Sequence, residues 1–188
     1  MSQIKKLKAK GFVSSSYDRE TLEGEFNGTN VKVRVVTNNN KVWRIVLTDQ
    51  FPSDETNIKI RFNNLCSQFE NNPNYLYFSE DQTISEYEDV SYETLVNNKR
   101  YEAVFYQIPD TTGFTEEFKA IALEKYTEEE LANPTKEIEE DLNEMVYSYF
   151  IDIVPMKPVW FMINNIYGGL RITMYYDNEY NHANGEDL

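Results

Sequence analysis

The chain has 188 residues, the length of one ordinary domain or two small ones, and a chain of this size buries roughly 70% of the surface its unfolded form exposes. With 40% apolar residues, among them 11 Phe, 14 Tyr and 2 Trp, the composition is globular and not disordered. Eighteen Lys and Arg against 32 Asp and Glu leave a net charge of −14, which repels a phosphate backbone and disfavours direct nucleic-acid binding.

No apolar run reaches the roughly 18 to 20 residues that span a bilayer. Met1 to Lys10 is basic and amphipathic with no hydrophobic segment behind it, so the chain as written is expected neither to span nor to be targeted to a membrane. One cysteine, Cys66, cannot close an intramolecular disulfide, and one histidine, His182, cannot complete a Cys/His zinc tetrad. Few cysteines suit the cytoplasm and an exported protein equally.

In chain order, a short basic helix is expected to end at Lys10, where Gly11 supplies a left-handed cap and Phe12 folds back onto Leu7. Leu22, Gly24 and Phe26 then alternate with acids, Asn27-Gly28 makes a tight turn, and Val31, Val33 and Val35 alternate with Lys32 and Arg34. After a second turn at Asn38-Asn39-Asn40, Trp43, Ile45 and Leu47 return on one face, which completes a three-stranded meander. Ile58, Phe62, Leu65, Cys66 and Phe69 form one helical stripe, ended by Pro73.

Ser79 to Asn98 holds six acids and no base, and reads as a long surface loop. A strand at Tyr101 to Ile108 is followed by a helix from Thr115 with Phe114, Phe118, Ile121 and Ala122 on its apolar face. Thr127-Glu128-Glu129-Glu130 is a capping box, and Pro134 suits the first position of a longer helix striped by Ile138, Leu142, Met145, Val146 and Tyr149. Val159 to Ile163 and Leu170 to Tyr176 flank Gly168-Gly169 as a last hairpin, with Leu170, Ile172, Met174 and Tyr176 on one face. The expected fold class is therefore α+β, an antiparallel meander and hairpins packed against a few amphipathic helices.

Charge divides the chain more sharply than any linker: residues 1–75 carry 11 basic and 8 acidic side chains, residues 76–188 carry 7 and 24. The expected organisation is one unit over 1–188, with 1–78 and 99–176 as candidate subdomains and 177–188 as a polar tail. Lys41-Val42-Trp43 and Lys157-Pro158-Val159-Trp160 hint that the two parts echo each other.

Catalytic constellations are scarce. His182 lies too near the end of the chain for a Ser or Cys triad, and Cys66 sits on an apolar stripe, where it reads as a buried hydrophobe. Gly168-Gly169 lies between strands and lacks the remaining features of a nucleotide loop. Paired carboxylates for acid/base hydrolysis are available in abundance, which robs any one pair of meaning. The 11 acids and 3 bases of Glu116 to Glu144 read first as a solvated face and second as a surface for a basic partner.

Asp177, Asn178, Glu179, Asn181, Asn184, Glu186 and Asp187 offer oxygens to a hard cation, but His182 stands where an EF-hand loop needs its glycine. No metal and no cofactor is implied. Tyrosine and asparagine recur together near the last hairpin, and flat rings beside amides suit a sugar or peptide surface. Tyr167, Tyr175, Tyr180 and Asn178 are the expected ligand-binding residues.

Lys6 to Phe12, the Gly24 to Leu47 meander and Tyr175 to Asn181 together resemble a group of uncharacterised proteins from Bacteroides-like gut bacteria. The resemblance covers most of the chain and implies its fold, with no assigned activity and no catalytic residues. Related chains begin with an export signal, so the resemblance implies a periplasmic or secreted protein where such a signal precedes Met1, and a cytoplasmic one otherwise. Asp110-Thr111-Thr112 is similar to the short O-glycosylation signal of exported proteins in such bacteria. The expected function is a non-enzymatic binding module for a protein or glycan; the alternatives are a carboxylate-based hydrolase and an acidic decoy for a basic protein.

Overall fold

The computed structural model describes residues 3–18, 20–79, 81–108, 114–166 and 168–182. They fall into two units, one of Met1–Gln107 with Lys157–Leu188 and one of Ile108–Met156.

In the first unit, helix α1 (Gln3–Ala9) stops at its predicted signal. Gly11 takes φ +96°, its N–H donates to the Lys8 carbonyl at 3.1 Å, and the Phe12 N–H donates to the Leu7 carbonyl at 3.2 Å. That pair of bonds is a Schellman motif, which strains a residue with a Cβ at the left-handed position. Phe12 is buried, and Gly24 leaves it room, since a Cβ there would lie 2.5 Å from the Phe12 ring.

Strands β1 (Val13–Ser14), β2 (Thr21–Phe26), β3 (Thr29–Asn38) and β4 (Lys41–Asp49) form an antiparallel meander. Both tight turns carry two positive φ angles, 50° and 73° at Asn27-Gly28 and 48° and 62° at Asn39-Asn40, the twist that suits a hairpin. Helix α2 (Glu55–Glu70) starts at Asp54, whose carboxylate accepts the Asn57 N–H at 2.8 Å. Its predicted stripe, Ile58, Phe62, Leu65, Cys66 and Phe69, is buried throughout.

Strands β5 (Tyr75–Leu76), β6 (Glu102–Gln107), β7 (Pro158–Ile166) and β8 (Gly169–Asp177) complete one antiparallel sheet, in the order β1-β2-β3-β4-β8-β7-β6-β5. The fold is α+β, as its patterning predicts. Phe62 meets Phe161 edge to face at 5.0 Å and Phe69 stacks on Phe105 at 4.9 Å, so α2 and the inner face of the sheet share one core. Arg61 of α2 grips the end of β4, donating from Nε and Nη2 to Asp49 at 2.9 and 2.7 Å.

One expectation needs correction here. The segment 79–98 is not all loop, because α3 (Val90–Val96) lies in it, capped by Asp89, with the Val90 and Ser91 N–H groups donating to the Glu55 carboxylate. Seven residues are too few to show a helical period, and the partner that fixes them is 35 residues away. The strand after that segment, β6, pairs with β7 and through it with β8, in the same sheet as β1 to β4. Charge asymmetry marks surfaces, whereas strand pairing decides what shares a core.

The second unit holds α4 (Phe114–Leu123), α5 (Glu128–Ala132) and α6 (Lys136–Ile153), with a 3-10 turn at Val154–Met156. The capping box forms: Thr127 N–H donates to Glu130 Oε2 at 2.9 Å and Glu130 N–H to Thr127 Oγ1 at 3.3 Å. Pro134 is not the first helical residue. Thr135 takes the cap, accepting the Ile138 N–H at 3.4 Å, because a hydroxyl can serve that N–H and a proline ring cannot. No described helix is long and apolar enough to cross a membrane.

Candidate functional site

The meander departs from its predicted alternation at one place. Val36 pairs with Arg44 and Thr37 with Val42, which leaves Trp43 as the extra residue of a β-bulge. Trp43 is therefore not in line with Ile45 and Leu47 over the core, as its spacing predicts. The Arg44 guanidinium lies 4.5 Å from its ring centroid.

Arg44 organises the site. Its Nε donates to Asp177 Oδ1 at 2.6 Å and its Nη2 to Oδ2 at 2.8 Å, a bidentate pair made across the β4–β8 register that joins these two residues. Trp160 Nε1 donates to the same Oδ2 at 3.0 Å. Trp160 and Tyr175, directly opposite each other on β7 and β8, stack at 4.0 Å with planes 15° apart, and the guanidinium lies 5.1 Å from the Tyr175 ring centroid. His182 closes the cluster edge-on to Trp43 at 4.7 Å.

The Asp177 side chain is 3% exposed and Arg44 26%. Hydrogen bonding to Asp177 raises the Arg44 pKa against the opposing effect of burial, so the cation persists. Trp43, Trp160 and Tyr175 are half-buried, like Arg44, and the Asp177 carboxylate that anchors the cluster is buried.

Of the four predicted ligand-binding residues, Tyr175 lies at the centre of this cluster. Asn178 adjoins it: its N–H donates to the Trp43 carbonyl at 2.7 Å, and its side-chain Oδ1 is buried with no hydrogen-bond partner among the described residues. Tyr180 is exposed on the 3-10 turn Glu179–Asn181. Tyr167 lies outside the described residues, as do Asp110, Thr111 and Thr112.

Sequence reasoning missed Trp43, Arg44, Trp160 and Asp177 as parts of one site. The signal was the pair of Trp-bearing segments, whose strands β4 and β7 flank β8. The tail expected from Asp177 onward is instead folded as far as His182. Asp177 is buried in its ion pair, Asn181 Nδ2 donates to the Val42 carbonyl at 2.8 Å, and Asn38 Nδ2 donates to the Asn181 carbonyl at 3.2 Å. Of the side-chain oxygens read as cation ligands, those of Asp177 serve Arg44 and Trp160, while Asn184, Glu186 and Asp187 lie outside the described residues; the described residues hold no cluster of metal-ligating side chains.

A cavity of about 630 Å³ lies beside β6 in the same unit, lined among others by Phe78, Gln82, Glu88, Lys99, Tyr101 and Tyr106. The Gln82 side chain serves Val104 as a neighbouring strand would, accepting its N–H at 2.7 Å and donating to its carbonyl at 3.5 Å. Glu88 accepts from Lys99 Nζ and from Tyr101 OH, and these bonds hold its carboxyl below the usual range. Burial and the bond to Glu88 push Tyr101 up. The other displaced carboxylates, Asp18, Asp54, Glu130 and Asp141, are displaced downward too, each chiefly by a hydrogen bond. Burial pushes the Cys66 thiol up to about 12, which leaves it unreactive at neutral pH.

No family model, no curated protein and no solved structure matches the chain.

Proposed function

We propose that the chain is a non-enzymatic binding module whose first unit meets a protein or glycan partner through the ring cluster at Trp43, Trp160 and Tyr175. The observation that carries this reading is the Trp160–Tyr175 stack clamped by the Arg44–Asp177 pair. Burying an ion pair costs desolvation, and here the pair fixes half-buried rings without uniting α2 with the sheet. Rings held rigid before contact lose little freedom on binding, and Trp, Tyr and Arg are the residues that dominate interface energetics. Their flat apolar faces and polar edges also match the two sides of a sugar ring.

The hydrolase reading is the weaker one. A general acid needs a carboxyl raised towards neutrality, and Glu88, one of three carboxylates lining the cavity beside β6 with Asp81 and Glu102, is shifted the other way. Turnover of any substrate that disappears in Glu88→Gln would restore it.

Tyr175→Ala is the test. On a glycan array and in capture from native extract, binding should fall by about tenfold or more, with circular dichroism and thermal melting intact. Unchanged binding by a folded variant removes the ring cluster as the contact surface.

A further inference from the structure

Among the described residues, the second unit has an apolar face that its own helices leave incomplete. On the stripe of α6, Ile138, Leu142, Met145 and Val146 are only half-buried, and none of the 18 residues of that helix is fully buried. An amphipathic helix folded against a finished core buries its stripe, as α2 does. Beside this stripe, Phe118 and Ala122 of α4, Leu131 and Ala132 of α5 and Leu142 of α6 line a groove of about 500 Å³.

Lys119 and Glu128 on the groove's lining balance each other, but the charge of the unit as a whole is one-sided. Residues 108–156 hold 13 acidic and 3 basic side chains. Each of the three lysines already has an acid beside it: Lys119 with Glu128 at 3.9 Å, Lys125 with Asp141 at 2.6 Å and Lys136 with Glu140 at 3.6 Å. The remaining acids have no base within the unit to neutralise them. A second copy of the unit and an anionic membrane surface would both be repelled by this field.

We infer that the α4–α5–α6 groove docks a cationic amphipathic helix of a partner protein. Its apolar residues at i, i+3, i+4 and i+7 would enter the groove, and its lysines or arginines would face the surrounding carboxylates. Acidic field and apolar groove act together: the first steers the approach, and the second selects the spacing.

The test titrates the full chain into a labelled Leu/Lys peptide of about 18 residues with leucines at helical spacing, read by fluorescence anisotropy. Three comparisons are expected to show losses: about tenfold for a scrambled peptide of the same composition, at least as much for a Leu/Glu peptide, and about tenfold or more between 20 and 300 mM salt. Ala132→Trp, which fills the groove from an exposed position, should weaken binding about tenfold. Equal binding of ordered and scrambled peptides, or undiminished binding by folded Ala132→Trp, overturns the inference.

Amide shift mapping on the wild-type chain keeps the test independent of that variant's folding. Peptide-induced shifts centred on Phe118 to Leu142 support the site, and shifts centred on the sheet contradict it. Dilution-dependent shifts of the free chain at these residues would assign the groove to self-association and likewise overturn the inference.

Discussion

Helices α2 and α6 are matched in kind and opposite in outcome. They have 16 and 18 residues, each is capped by a side-chain oxygen, and each carries a clear apolar stripe, yet all five stripe residues of α2 are buried and none of α6 is. The first unit has a core of sheet residues waiting for α2, including Val33, Phe105, Phe161 and Ile172. Among the described residues of the second unit, Ala122 and Val154 are the buried ones. Periodicity thus tells which side of a helix is apolar and says nothing of how much will cover it. A finished core makes a scaffold for a site, and an unfinished one leaves a surface for a partner.

The widest expected gap is between truncations in the two stripes. Phe62→Ala should cost about 3–5 kcal/mol, since the ring is 1% exposed and packed on Phe161. Leu142→Ala, in the half-covered stripe, should cost only about 1 kcal/mol by comparison with the roughly 2–5 kcal/mol of a fully buried leucine. Urea melts of both variants check this, and equal losses would break the contrast between the helices.

A second comparison separates two ion pairs that flank β4. Asp49 accepts from Arg61 and from the Ile172 N–H at 3.3 Å, and its Arg61 partner is 13% exposed against 26% for Arg44. Asp49→Ala should therefore cost about 3 kcal/mol or more by stranding a largely covered guanidinium. Asp177→Ala should cost less, about 1–3 kcal/mol, while changing the Trp160 fluorescence that its carboxylate fixes. A larger stability loss from Asp177→Ala would make that pair a structural strut, not a clamp on the rings.

At the cap of α6, Thr135→Ala should lower stability by about 1 kcal/mol, measured by thermal melting.

Extremes of pH act through shifted groups with known sign. Asp18, Asp54, Glu88, Glu130 and Asp141 have folded-state pKa values below their unfolded ones, so their contribution is present above about pH 4 and is lost as pH falls through the folded values. Tyr101 and Tyr176 are raised, chiefly by burial, so the fold is favoured below about pH 10 and loses that support as pH rises further. Tyr176→Phe should change little at pH 7, within about 0.5 kcal/mol, and should move alkaline unfolding upward, as read by phenolate absorbance.

Much of this fold is legible in local pattern. The Gly11 stop, the Asn27-Gly28 turn, the α2 stripe, the Thr127 capping box and the Leu170–Tyr176 face each depend on neighbours a few residues apart, and each is where its spacing predicts. What escaped depends on distant partners. Trp43 turns away from the core line through a bulge set by the β3–β4 register, and Asp177 becomes buried only because Arg44 and Trp160 arrive from other strands. Tyr175 was legible as a ring beside amides, but its stack with Trp160 was not, because no local signal sets the register of β7 on β8.

The central claim is that the ring cluster is the contact surface, and the chain's two tryptophans make it directly observable. A nitrogen-15 spectrum has one indole N–H resonance for Trp43 and one for Trp160, so the wild-type chain can be titrated with the glycan or protein that array or capture returns. The account predicts that both resonances shift in step with binding, with Trp160 reporting through its bond to Asp177. A saturated complex in which both indoles stay where they were would contradict it.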